Sequence, residues 1–234
     1  YYSLKEATLT VHHYIEGTTT KLSESIVKGV NWGESYTTSA ATDIDKNYEL
    51  ASTPSNAKGT IEGDTIVIYY YKLKTATITV HHYIEGTTTK LAEDVITTQK
   101  YTTDYSTKSA TVDSNYELVS TPNNATGKVS GNVTVTYYYK LKTATITVHH
   151  YIEGTTTKLA EDVITTQKYT TDYTTQPAQV NSNYELTSTP SNASGKVSGN
   201  VTITYYYKQK SATLTVHHYI EGTTTKLADS EIST

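Results

Sequence analysis

The chain has no cysteine, no methionine and no phenylalanine, a single tryptophan (Trp32), and no arginine, every one of its 19 basic residues being lysine. Without cysteine it holds no disulfide and no thiolate metal site, and it folds alike in oxidising and reducing surroundings. Without arginine it lacks the planar fork that grips phosphates and base edges. The net charge of -4 leaves no basic footprint for nucleic acid or an anionic membrane surface. No apolar run approaches the length of a membrane helix, so no membrane insertion is expected in this segment. What is abundant is tyrosine, 23 residues, among many threonines. β-Branched and aromatic side chains suit a pleated, half-buried surface, so the composition is β-rich rather than disordered.

The same string, Thr-Val-His-His-Tyr-Ile-Glu-Gly-Thr-Thr-Thr-Lys-Leu, begins at Thr10, Thr79, Thr147 and Thr215. Tyr69 to Tyr105 matches Tyr137 to Tyr173 without a mismatch. A fixed period of this size means an array of like units, which points to repetition rather than to one active site. The expected division is 7–74, 75–142 and 143–210 as three full modules, with 1–6 as the end of a preceding repeat and 211–234 as the start of a truncated one. Tyr1-Tyr2-Ser3-Leu4-Lys5 resembles Tyr70-Tyr71-Lys72-Leu73-Lys74, so the chain reads as a window on a longer array.

Within 75–142, Ala76, Ile78, Val80, His82 and Ile84 alternate with Thr77, Thr79, His81, Tyr83 and Glu85, which predicts a strand with one apolar face. Glu85-Gly86-Thr87 supplies a turn and Thr88 to Thr97 a returning strand. Lys100 to Ser114 reads as either a short helix or an irregular crossing. Tyr116 to Ser120 is a third strand, and Val133, Val135, Tyr137 and Tyr139 form the apolar face of its partner. The fold class expected is mainly β, α+β at most.

These motifs, with Lys90-Leu91-Ala92, Gly33-Glu34-Ser35-Tyr36-Thr37, Tyr116-Glu117-Leu118, Asn124-Ala125-Thr126-Gly127 and the closing Val133 to Lys140, resemble the MucBP (mucin-binding protein) repeats of Gram-positive surface proteins. The resemblance covers each module end to end. It implies small β-grasp-like (ubiquitin-like) modules in a tandem array, on an extracellular adhesin at the bacterial cell surface, held to the cell wall by a region outside this window. Two departures stand out. Thr102 and Thr170 replace Gly33, so the turn there is expected not to require positive φ. The doubled His adds a residue between Val80 and Tyr83, and a β-bulge in that strand is expected to turn one His outward.

The pairs His12/His13, His81/His82, His149/His150 and His217/His218 look like metal ligands, but successive strand residues face opposite ways, and one packed and one surface His is the preferred reading. Asp43, Asp45, Asn47 and Glu49 have the alternating oxygens of a calcium loop, yet the carboxylates thin out in later copies, and a polar turn explains them better. Asn124, Asn132, Asn192 and Asn200 begin Asn-x-Ser/Thr strings and read as turn residues. No metal, cofactor or catalytic residue is assigned. A His81 with Asp104 pair, or a Lys90, Asn115 and Glu117 amide cross-link, lacks support in the spacing.

Tyrosine supplies the candidate site. Tyr137 and Tyr139 are expected to fill the core in the absence of phenylalanine, while Tyr70, Tyr138 and Tyr206 face out, joined by Tyr83 and Tyr151. Outward rings beside threonine suit the apolar face and hydroxyls of a sugar; cross-strand pairing that only stabilises the sheet is the alternative. The partners expected are mucin or host glycoprotein glycans and the neighbouring repeats. Two functions stand: weak multivalent binding, and an elongated rod that projects another domain, favoured by junctions without a Gly, Pro or Ser-rich linker.

Overall fold

The computed structural model describes residues 3–233; Tyr1 and Tyr2 of the expected preceding repeat lie outside the described residues. Among those residues every regular element is a strand. By contact density the chain divides into two units, Tyr1–Val112 with Leu118–Tyr139, and Asp113–Glu117 with Lys140–Thr234. The first repeat forms β1 (Glu6–Ile15), β2 (Lys21–Asn31), β3 (Ser35–Thr37), β4 (Tyr48–Ser52), β5 (Lys58–Thr60) and β6 (Thr65–Leu73). The second forms β7 (Thr75–Ile84), β8 (Lys90–Lys100), β9 (Asp104–Ser106), β10 (Tyr116–Leu118), β11 (Thr126–Lys128) and β12 (Val133–Leu141). The third forms β13 (Thr143–Ile152), β14 (Lys158–Lys168), β15 (Asp172–Thr174), β16 (Tyr184–Leu186), β17 (Ser194–Lys196) and β18 (Val201–Gln209). A hairpin of β19 (Leu214–Tyr219) and β20 (Lys226–Ser233) follows.

Each repeat makes one four-stranded sheet, in the orders β2-β1-β6-β4, β10-β12-β7-β8 and β14-β13-β18-β16, plus a two-stranded ribbon: β3-β5, β9-β11 or β15-β17. The first and last strands of a repeat lie side by side and parallel, as in β13 with β18. The other pairings in the sheet of the first and third repeats are antiparallel. The stretch Lys100 to Ser114 resolves as a turn, the short strand β9 and an extended run, with no helix.

Alternation decides the faces. In β7 the residues Ala76, Ile78, Val80 and His82 are buried, while Thr77, Thr79, His81 and Tyr83 are partly exposed on the other side. The core of the third repeat joins Ala144, Ile146 and Val148 of β13, Ile203, Tyr205 and Tyr207 of β18, and Tyr173, Ala193 and Val197 from the ribbon side. Tyrosine takes the place of the missing phenylalanine, and its hydroxyls must then find partners. Tyr205 Oη lies 3.0 Å from Thr175 Oγ1, and Tyr207 Oη accepts from the Ala178 N–H at 2.8 Å. These bonds pin the extended run after β15 to the sheet. An unpaired buried hydroxyl would cost about 1–3 kcal/mol.

Two sequence expectations fail here. Thr102 and Thr170 keep positive φ, 65° and 67°, where Gly33 has 83°. The ribbon imposes the turn: Thr102 N–H donates to Val129 O at 2.8 Å, as Gly33 N–H does to Ile61 O at 2.8 Å. Nor does the His pair carry the bulge. β7 stays in register with β12 through Tyr83 and Ile84. The shifts fall opposite, where Val80, His82 and Tyr83 meet Val95, Ala92 and Lys90, so the surplus residues lie in β8. β7 is held between two neighbours, whereas β8 at the sheet edge has one, and irregularity goes to the freer strand.

Candidate functional site

The doubled histidine splits between the two faces. His82 is buried, stacks on Tyr137 with ring centroids 5.5 Å apart, and places Nδ1 3.1 Å from Tyr139 Oη. Burial pushes its imidazole below the ordinary 6.5, opposed by the negative charge of Asp94 and reinforced by His81. His13 and His150 sit alike against Tyr71 and Tyr207, and burial lowers them too. The same burial raises the phenols of Tyr71, Tyr139 and Tyr207.

His81 lies on the outer face. Its Nδ1 is 2.8 Å from Asp94 Oδ1, and its ring stacks on Tyr83 at 5.4 Å. Asp94 also takes Lys90 Nζ at 2.7 Å; this lysine first, and His81 second, hold its carboxyl below the usual range. The third repeat has the same arrangement with His149, Asp162, Lys158 and Tyr151. In the first repeat Ser25 replaces the aspartate, 2.8 Å from His12. The sequence reading missed this surface quartet, because a His in one strand and an Asp in the next meet only once the hairpin register is known. Among the described residues no group of His, Asp and Glu is set to hold a metal ion.

Other candidates are not brought together. Asp104 pairs with Lys128 at 2.9 Å rather than with His81. Lys90 is taken by Asp94 and Glu117 by Lys140 at 3.5 Å, so the amide cross-link set is not assembled. In the calcium-like loop Asp45 Oδ1 accepts from Asn47 N–H at 2.8 Å, and Asp113 and Asn181 do the same for Asn115 and Asn183. An acceptor two residues ahead is all that position needs, hence the loss of carboxylate in the third copy. Asn124 and Asn192 donate to Thr134 O and Thr202 O, while Asn132 and Asn200 accept from Thr77 and Thr145 N–H.

The outer tyrosines do converge. Tyr70, Tyr138 and Tyr206 are 38%, 43% and 42% exposed. The parallel register sets Tyr138 directly beside Tyr83, Tyr206 beside Tyr151, and Tyr70 beside Tyr14. Next to each pair stands the Glu-Gly-Thr turn, whose glycine takes φ near +72°: Gly17, Gly86 and Gly154. Tyr138 and Glu85 to Thr89 line an open cleft, and Tyr206 with Glu153, Gly154 and Thr155 line its counterpart. Each cleft offers an aromatic face and one carboxylate beside a turn whose Thr87 or Thr155 hydroxyl is spent on Ile84 O or Ile152 O, while Thr88 and Thr89 add to the second-repeat cleft. This set suits a polyhydroxylated ligand with an apolar side.

Comparison with known proteins follows the same period. The chain is 30% identical over 230 residues to Internalin J of Listeria monocytogenes serovar 1/2a, covering 94% of this chain and 26% of that protein. Against Internalin J of serotype 4b it is 29% identical over 208 residues, 86% of this chain and 22% of that protein. The chain thus spans about a quarter of the length of these relatives. Among solved structures, the Bacillus anthracis TIE protein is similar at 11% identity and TM-score 0.48, over 87% of this chain and 51% of that one. The type 2 repeat of the mucus binding protein MUB from Lactobacillus reuteri is similar at 19% identity and TM-score 0.24, over 58% of this chain and all of that one. The MucBP domain matches residues 8–72, 77–140 and 145–208, one match per sequence period. Because these matches take in most of its length, the chain belongs to the MucBP domain family, as three tandem copies.

Proposed function

We propose that this chain is the repeat region of a bacterial surface adhesin, an extended stalk whose repeats each hold a glycan of mucin or another host glycoprotein weakly. The carrying observation is the cleft of outward tyrosine and Glu-Gly-Thr turn, present at the same place in the second and third repeats. One such contact is weak; copies on one chain raise the effective concentration of the next and so the avidity. Membership of the MucBP family and similarity to Internalin J support the surface setting and cell-wall attachment through another region. The chain acts without catalysis, in line with a family of repeat domains. The central parallel pair with antiparallel neighbours supports β-grasp-like modules with boundaries at 7–74, 75–142 and 143–210.

A purely structural spacer is the second reading, favoured by single-residue junctions: Lys74 alone separates β6 from β7, and Lys142 alone separates β12 from β13. One experiment weighs both. Tyr70, Tyr138 and Tyr206 are replaced together by serine, and parent and variant are applied to a mucin and glycan array, with small-angle scattering of each. Binding by the parent, lost in a variant of unchanged extended profile, supports the binding face. Equal binding by both proteins overturns the tyrosine face, no binding by either leaves a spacer, and a compact profile overturns the stalk.

A further inference from the structure

We infer that each repeat is a force-resisting clamp, in which the parallel pairing of its first and last strands places the ladder between them in shear when the chain is pulled. The third repeat shows the geometry. The chain enters through β13 and leaves through β18, and these strands run parallel through seven successive partners from Ile146 with Val201 to Ile152 with Tyr207. In a parallel pair the entry and exit points lie at opposite ends of the ladder, so tension drags the strands past each other along their length. Every hydrogen bond then bears the load together, whereas strands pulled from the same end unzip bond by bond.

The ladder is closed at both ends and packed against the core on one face. At the entry end Thr145 N–H donates to Asn200 Oδ1 at 2.9 Å, and at the far end Glu153 N–H donates to Tyr207 O at 2.9 Å. Inside, His150 of β13 meets Tyr207 of β18 at 3.1 Å and stacks on Tyr205 at 5.5 Å. On the core face Ile203, Tyr205, Tyr207 and His150 are at most 2% exposed, so sliding the strands also tears packed side chains apart. A buried imidazole is costly unless paired, and the clamp gives it work: it fastens the same two strands that carry the load. The first and second repeats have the same construction, with Leu9–Thr65 to Ile15–Tyr71 and Ile78–Val133 to Ile84–Tyr139 in register. Their entry bonds are Thr8 to Asp64 and Thr77 to Asn132, and their buried pairs His13 with Tyr71 and His82 with Tyr139. The single-residue junctions Lys74 and Lys142 carry tension from one last strand into the next first strand. This inference depends on strand direction and stands whether or not the tyrosine face binds a ligand.

The absence of cysteine makes the test direct, since two introduced cysteines are unique handles on the full chain. With K142C and K210C the third repeat is pulled along its ladder; with T156C and K210C the same strands are pulled from one end. Single-molecule force spectroscopy should record a severalfold higher rupture force in the first geometry. The unfolded lengths between the handles, about 240 Å and about 190 Å at ~3.5 Å per residue, less the folded separation of each pair, identify the event. Equal forces in the two geometries overturn the clamp. H150L, with folding checked by circular dichroism, should lower the force along the ladder. A force along the ladder that does not fall removes the imidazole from the clamp.

Discussion

At the scale of the residue, Thr102 and Thr170 show a fold overriding local preference. A β-branched residue in the left-handed region costs roughly 1–2 kcal/mol, while glycine loses about 0.5–1 kcal/mol more backbone entropy on folding. The strain outweighs the entropy, so Thr102→Gly should raise stability by up to ~1 kcal/mol, as the first repeat already has Gly33 there. A denaturant melt of the variant reads this, and a loss of stability would contradict it. The buried imidazoles set a pH dependence. Unfolded, His13, His82 and His150 take up protons near 6.5; folded, burial lowers each below that value. Their contribution is therefore complete above pH 6.5 and is lost as pH falls from 6.5 through the depressed values. A second loss comes lower, because Asp94 and Asp162 lie below their ordinary 3.8. Melting temperature should be flat near neutrality and fall as the pH drops below 6.5. The triple variant H13Q/H82Q/H150Q should flatten that fall, and an identical slope would refute the assignment.

At the scale of the element, the ribbon β9-β11 illustrates what pattern alone conveys. The ring of Tyr105 lies over Gly127, where an added Cβ would stand 3.0 Å from the ring; Gly59 under Tyr36 and Gly195 under Tyr173 are close behind at 3.1 and 3.2 Å. Gly127 has no positive φ, so its need is for space alone. Gly127→Ala should displace a buried tyrosine and cost roughly 1–3 kcal/mol, by thermal or denaturant melt. No loss would mean the ring has room to shift. The long strands were legible because the alternation along β7 leaves one face apolar, and the same holds for Val135, Tyr137 and Tyr139 of β12. Three-residue strands such as β9 and β11 give no period to read. The outward aim of Tyr138 followed from alternation, but its seat beside Tyr83 did not. Parallel register is set by pairings 55 residues apart, and nothing local encodes it. His82 with Tyr139 was hidden for the same reason, and His81 with Asp94 because the surplus residues of β8 shift the hairpin register between them.

At the scale of the whole molecule, three family matches and three like sheets raise the question of how far each repeat stands alone. If the proposed boundaries are real, residues 75–142 made alone should melt cooperatively, though at low temperature. Domains of this size bury only about three fifths of their unfolded surface. A single repeat without a transition, alongside a full chain that has one, would mean the repeats fold only as neighbours. The parallel central pair also fixes a sequence of events during synthesis. β13 waits for β18, which arrives last in its repeat, so the first hairpin emerges with one side of β13 open. Strands β7 and β13 have the same ten-residue sequence, so β18 fits either of them equally well by side chain. During synthesis β12 has already taken β7 when β18 emerges, which leaves β13 as its partner. Vectorial emergence from the ribosome or translocation pore therefore supplies a choice that the duplicated sequence cannot, and refolding all copies at once from denaturant invites exchange of strands between repeats.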